Sequence, residues 1–97
     1  MKKIVFYRDA KRETQEAYKW YEERAVGLGA KFIQALDRTL LNISENPEGF
    51  HPIRNPIRQA LLKRFPYAIL FKEEPDSIVV IAVFHQSRDP ETWTSRG

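Results

Sequence analysis

Residues 77–85, SIVVIAVFH, are apolar at nearly every position. The run is too short to cross a bilayer, and its β-branched residues favour extended backbone over helix. Such a segment reads as an inner strand, with a neighbour on each side and cover over at least part of both faces. Its end is abrupt: in VFHQSRDP, His85, Arg88 and Asp89 follow the apolar run at once. The strand therefore emerges at a rim of the sheet where charge is solvated.

The rest of the chain supplies partners for that strand. KIVFY (Lys3 to Tyr7) reads as a strand, and Asp9 suits the cap of a helix in which Thr14, Ala17, Tyr18, Tyr21, Ala25 and Leu28 recur at helical spacing. Arg12 with Glu16, and Lys19 with Glu23, are four apart on its exposed faces. Gly27 and Gly29 end it, and a second helix from about Ala30 carries Ile33, Leu36, Leu40 and Ile43 along one stripe until ENPEG breaks the pattern. NPEGFHPIRNP reads as a loop; IRQALLKR, YAILFKE and SIVVIAVFH read as three strands of a meander, parted by FP and EPD turns.

These elements predict an α+β, two-layer fold, β-α-α-β-β-β, with a helical hairpin on one face of an antiparallel sheet of strand order 1-4-3-2. Counting chain directions makes the last strand antiparallel to the first. Pairing Lys72 with Ile78 across the EPD turn sets His85 opposite Phe65, and the FP turn sets Arg64 opposite Tyr67. Arg64, His85 and Arg88 then share one end of the sheet. Arg58 falls at the other end of its strand, about 20 Å from Arg64 at the usual rise per residue, close to Glu73 and suited to a surface ion pair. The same register puts Leu62, Ile69, Phe71, Val79, Ile81 and Val83 on one face and Leu61, Leu70, Val80 and Phe84 on the other. Two helices cover only one face, so the other is expected to stay open for a partner.

Size and composition narrow the function. A chain of 97 residues suits a single domain, 1–97. It shows no apolar run of membrane-spanning length and no secretory leader pattern, which points to the cytoplasm. With no cysteine and two histidines, His51 and His85, it offers no conventional metal site, and no cofactor is implied. The net charge of +3 is uneven, because Phe50 to Lys72 holds no acid while Arg54, Arg58, Lys63, Arg64 and Lys72 are cationic. Such a stretch suits a surface meeting phosphate or an acidic protein, and equally an edge strand protected from aggregation.

The rim has a chemistry of its own. An imidazole titrates near ~6.5 in its unperturbed state, so His85 could serve as acid or base in metal-free RNA cleavage, with Arg64 and Arg88 clamping the phosphate. The alternative is structural: His85 bonding a neighbouring carbonyl and Arg88 pairing with Asp89. The serines show no nucleophile spacing, GLG sits between helices and is no phosphate loop, and adjacent Glu22 and Glu23 point to different sides of their helix. Tyr18 and Tyr21 suit packing, while Trp20 is open to either packing or stacking.

EAYKWYEERAVGLGAKFIQAL, ISENPEGFHPI, IRQALLKRFPYAILF and IVVIAVFHQSRDPETW, in that order, resemble the RelE/ParE family of type II toxin–antitoxin toxins, in its ParE-like branch. The resemblance implies a growth-inhibiting toxin with a cognate antitoxin that wraps it and contacts operator DNA on its behalf. ParE-like members poison DNA gyrase; RelE-like members cleave mRNA on the ribosome. For the first activity no enzyme chemistry is implied; for the second, His85, Arg64 and Arg88 stand at the catalytic positions, although Trp93 occupies the tail where a RelE-type tyrosine is expected. An adaptor without toxicity is a third reading. Residues expected to meet target or antitoxin are Arg58, Lys63, Arg64, Leu61, Leu70, Phe84 and Trp93.

Overall fold

The computed structural model describes residues 2–97. Strand β1 (Lys3–Phe6) leads into helix α1 (Arg8–Arg24) and helix α2 (Leu28–Glu45). A short 3-10 helix (Pro47–Gly49) is followed by β2 (His51–Arg54), β3 (Ile57–Leu61), β4 (Tyr67–Glu73) and β5 (Ser77–His85), and the described chain ends in a second 3-10 helix, Pro90–Arg96. The α+β class is as expected, and the sheet order β1-β5-β4-β3-β2 keeps the predicted neighbours.

The sheet is mixed, not antiparallel, because β1 runs parallel to β5. The cause is β2, which lies within a stretch that reads as loop. Its four residues include Pro52, and it pairs with β3 at the outer edge, where proline is tolerated. One extra strand between α2 and β3 reverses the direction of everything after it, so the last strand ends up parallel to the first.

α1 begins after Tyr7, whose N–H donates to Val80, and Asp9 lies in its first turn instead of capping it. Gly27 adopts φ +87°, a left-handed conformation suited to glycine, at the start of α2. Gly29 answers a different need: a side chain there would meet the Tyr18 ring and carbonyl at 2.8 Å, so its bareness lets the two helices approach. Glu22 completes the corner, accepting from the Gly27 and Gly29 N–H groups at 2.9 and 3.0 Å and satisfying free donors at the start of α2.

The hairpin packs its apolar stripe on the sheet. Phe32, Leu36 and Ile43 from α2, with Ala17 and Tyr21 from α1, meet Ile69, Phe71, Ile78, Val80 and Val83. Phe32 is fully buried, and its ring lies edge-on to Phe65 and Tyr67, 5.6 and 5.3 Å between centroids.

A β-bulge in β5 corrects the expected face lists. Leu70 pairs with Ala82 and Phe71 with Val80, leaving Ile81 without a partner across β4. One extra residue inverts the alternation on its N-terminal side. Ile78 and Val80 therefore face the helices, whereas Ile81 lies with Ile57, Ala68, Leu70, Ala82 and Phe84 on the opposite face. The expected helix-facing positions of Leu62, Ile69, Phe71 and Val83 hold.

That opposite face is not open. Ala68, Leu70, Ile81 and Ala82 are fully buried and Phe84 is 4% exposed, with Trp93, Ile53 and Tyr7 packed over them. The Trp93 ring, from the C-terminal 3-10 helix, lies 4.5 Å from that of Phe84. Leu70 and Phe84 thus present no surface to a partner, and only Leu61, 55% exposed, does so among the apolar residues expected on this face.

The tail is held by an ion pair. The Arg96 guanidinium donates to the Glu13 carboxylate at 2.8 and 3.1 Å and to the Ile81 carbonyl at 3.1 Å, while Glu13 also accepts from the Val83 N–H at 3.0 Å. The two side chains thereby take up backbone groups of β5 beyond the end of β1, which stops at Phe6.

Candidate functional site

The end of the sheet where charge was expected is built from α1, the β3–β4 turn and the end of β5. Tyr67 is opposite His85, and the Leu62 N–H closes the turn by donating to the Tyr67 carbonyl at 2.9 Å. The register is thus displaced from expectation: Phe65 is not opposite His85, nor Arg64 opposite Tyr67. Lys63 and Arg64 lie in the turn, off the strand. Arg64 has φ +70°, left-handed backbone that costs a side-chain-bearing residue of order 1 kcal/mol.

A groove of about 870 Å³ opens at this end, walled by Arg12, Glu16 and Trp20 of α1, by Tyr67 and His85, and by Arg88 and Trp93 of the tail. His85 and Arg88 meet in it as expected. Arg64 is not among its lining residues, so the anticipated trio is not assembled in one cavity. Arg58, expected beside Glu73, instead donates to the Phe50 carbonyl at 2.8 Å, and Glu73 takes Lys2 at 2.6 Å.

His85 is oriented locally. The Ser87 backbone N–H donates to its Nδ1 at 3.0 Å and the Ser87 hydroxyl lies 2.8 Å from the same nitrogen. A nitrogen that accepts from an amide bears no proton on a neutral imidazole, which leaves the proton on Nε2. The ring stands edge-on to Tyr67 at 5.4 Å. Burial, and secondarily the charge of Glu16, push the Tyr67 phenol up from its ordinary value. Tyr21 is likewise raised, by burial first and then by Tyr67.

Of the two arginines that line the groove, one is neutralised. Arg12 lies 3.3 Å from Glu16 and 3.6 Å from Asp9, and the hydrogen bond and charge of Glu16 push its guanidinium up from the ordinary value. Glu13 is taken by Arg96. Arg88 makes no ion pair with Asp89; its guanidinium lies 5.5 Å from the Trp93 ring centre, and it has no carboxylate partner among the described residues. Asp89 instead caps the tail helix, accepting from the Glu91 N–H at 3.0 Å. Trp20 is half-exposed, with Arg24 3.8 Å over its ring.

Sequence reasoning missed Glu13, Glu22 and Arg96. Glu13 and Arg96 are 83 residues apart, with no local pattern linking them. A signal for Glu22 did exist, in a carboxylate just before a glycine-flanked helix start.

An α/β hairpin-on-sheet fold with this groove defines the class of small α+β proteins that hold a helical pair against a mixed sheet. A sequence model described as "ParE toxin of type II toxin-antitoxin system, parDE" matches residues 4–90, and the chain belongs to that family. Among solved structures, a chain of the chromosomal ParDE TA system from P. aeruginosa is similar in fold, with a TM-score of 0.73 at 18% sequence identity, covering 88% of this chain and 96% of that one. No curated protein matches. Among the described residues no helix is long and apolar enough to cross a membrane.

Proposed function

We propose that the protein is the toxin of a type II toxin–antitoxin pair, a single cytoplasmic domain that inhibits growth by binding DNA gyrase and trapping its cleaved DNA complex. A cognate antitoxin neutralises it and supplies the contact with operator DNA. The observation that carries this reading is the family match over residues 4–90, on the ParE side of the RelE/ParE divide.

Electrostatics point the same way. Phosphoryl cleavage without metal needs several cations converging on the developing charge. Here Arg12 is paired with Glu16, and Arg64 stands outside the groove that holds His85. A second reading, a ribosome-dependent endoribonuclease, is favoured by one feature: an imidazole fixed by Ser87 with its Nε2 proton available in a groove beside Arg88.

The deciding experiment measures gyrase supercoiling and cleaved-complex accumulation with purified protein, alongside mRNA cleavage on translating ribosomes. Inhibited supercoiling with intact messenger, unchanged in His85→Ala, is expected. Messenger cleavage that disappears in His85→Ala, with gyrase unaffected, would overturn the proposal in favour of the nuclease.

A further inference from the structure

The acid-free run from Phe50 to Lys72 carries five cations, and the fold divides them. Arg54 lies 3.2 Å from Glu91, Arg58 donates to the Phe50 carbonyl, and Lys72 lies 4.0 Å from Glu74. Lys63 and Arg64 remain. Both are exposed in the β3–β4 turn, with no carboxylate partner among the described residues.

The turn stands beside α2. A shallow cavity of about 720 Å³, separate from the groove under α1, joins Lys63 to Gln34, Asp37, Arg38, Leu41 and Asn42 of that helix. Lys31 precedes Arg38 by two helical turns on the same side, about 10 Å away along the axis. Neither of these two exposed cations has a carboxylate partner among the described residues. Four cations are thus answered by Asp37 alone. On α1 the balance differs, since Arg12 lies between Asp9 and Glu16, and Arg24 follows Glu22 and Glu23, so opposite charges cancel at short range.

The backbone of the turn gives an independent sign. Arg64 is held at φ +70°, a conformation that glycine takes without steric cost and a side chain takes under strain. Its guanidinium makes no ion pair among the described residues, so the strain returns nothing to the fold. What the residue brings is an exposed positive charge beside Lys63.

We propose that Lys31, Arg38, Lys63 and Arg64 form a contact surface for the phosphate backbone of double-stranded DNA. A group of unpaired cations over one carboxylate complements a row of phosphates, and each contact releases a condensed counterion. Proteins grip single strands by stacking the bases on aromatic rings as well as by charge, whereas a duplex turns its phosphates outward and covers its bases. No aromatic ring lies among these residues; the one large apolar side chain is Leu41, 47% exposed. The surface therefore fits a duplex, and phosphate contacts carry no base sequence. The choice of DNA over a double-stranded RNA rests on the gyrase reading, which places cleaved duplex DNA beside the toxin. Gripping that duplex would add a second hold on the complex it traps.

The test titrates the purified full chain into a fluorescent DNA duplex of arbitrary sequence and follows anisotropy across a range of salt. Affinity is expected to fall with salt at a log–log slope of about three to four, as four neutralised phosphates require. Arg38→Glu and Lys63→Glu should each weaken binding by about tenfold at low salt and lower that slope by about one. Lys11→Glu, an equal change of net charge at the start of α1, should leave affinity within about twofold. Arg64→Gly separates the contact from the fold: it should weaken binding while the thermal unfolding temperature holds or rises. The proposal is overturned if no duplex binding is seen at low salt, if Lys11→Glu weakens it as much as Lys63→Glu, or if Arg64→Gly leaves it unchanged. Tighter binding of a single strand, of double-stranded RNA or of polyglutamate of matched charge would overturn it equally. Supercoiling inhibited by a chain that fails to bind the duplex sinks this inference alone, and duplex binding without action on gyrase sinks the gyrase reading alone.

Discussion

The two faces of the sheet are equally dry and are kept so by different means. On one, a helical hairpin of two long amphipathic helices lays down a continuous apolar stripe around Phe32, Leu36 and Ile43. On the other, a single 3-10 helix contributes one large side chain, Trp93, and is fastened by Arg96 to Glu13 on the hairpin itself. The first cover is held by its own burial. The second depends on a polar clamp between elements at opposite ends of the chain, which makes it the face with fewer independent supports.

That contrast sets the expected sizes of perturbation. Phe32→Ala, which empties a fully enclosed ring site against Tyr21, Phe65 and Tyr67, is expected to destabilise by about 4 kcal/mol in urea unfolding. Glu13→Ala is expected to cost about 2 kcal/mol, because it leaves the Val83 N–H without its acceptor in a partly shielded place and the Arg96 guanidinium with only the Ile81 carbonyl and Asp9, 3.9 Å away. Native-state hydrogen exchange should then quicken at Val83 before it does in β4. Trp93→Ala, on a half-buried ring, is expected to cost about 1.5 kcal/mol. Equal losses for Phe32→Ala and Trp93→Ala would break the distinction between the faces.

A smaller effect belongs to the helix face alone. Tyr21 and Tyr67 have phenols raised by burial, so above the ordinary tyrosine value of about 10 the unfolded chain sheds these protons first. The unfolded state then holds fewer protons than the folded one, and stability falls as pH rises through that range; below it the contribution is fully present. Unfolding curves across the alkaline range should show the decline, and Tyr67→Phe should reduce it. A decline unchanged in Tyr67→Phe would remove this tyrosine as its source.

Most of the architecture was legible because long periodic segments carry strong signals: the two helices, the meander of β3, β4 and β5, and the central place of β5 all follow from spacing. The direction of β1 relative to β5 was not, since β2 is four residues long and carries proline, and nothing in HPIR separates an edge strand from a loop. The bulge was hidden for the opposite reason. SIVVIAVFH is apolar throughout, so no alternation exists in which a missed beat could be seen. At the site, His85 and Arg88 were readable because charge follows the strand directly. The removal of Arg64 from the groove came from the turn, which also takes in Lys63 and Arg64, two residues that the tighter count assigned to the strand. The closure of the second face was illegible because a seven-residue 3-10 segment has no periodicity to detect, and its anchor is an ion pair across nearly the whole chain.

Ile81 has a consequence of its own. Remove that one residue and the remaining strand would still keep step on both sides, with Val80 and Val83 toward the helices and Ala82 and Phe84 away from them. What would vanish is the carbonyl to which Arg96 is moored. The ladder has no use for this surplus position; the tail does, and a one-residue deletion there should therefore spare the sheet while leaving the last turn moored by its carboxylate partners alone.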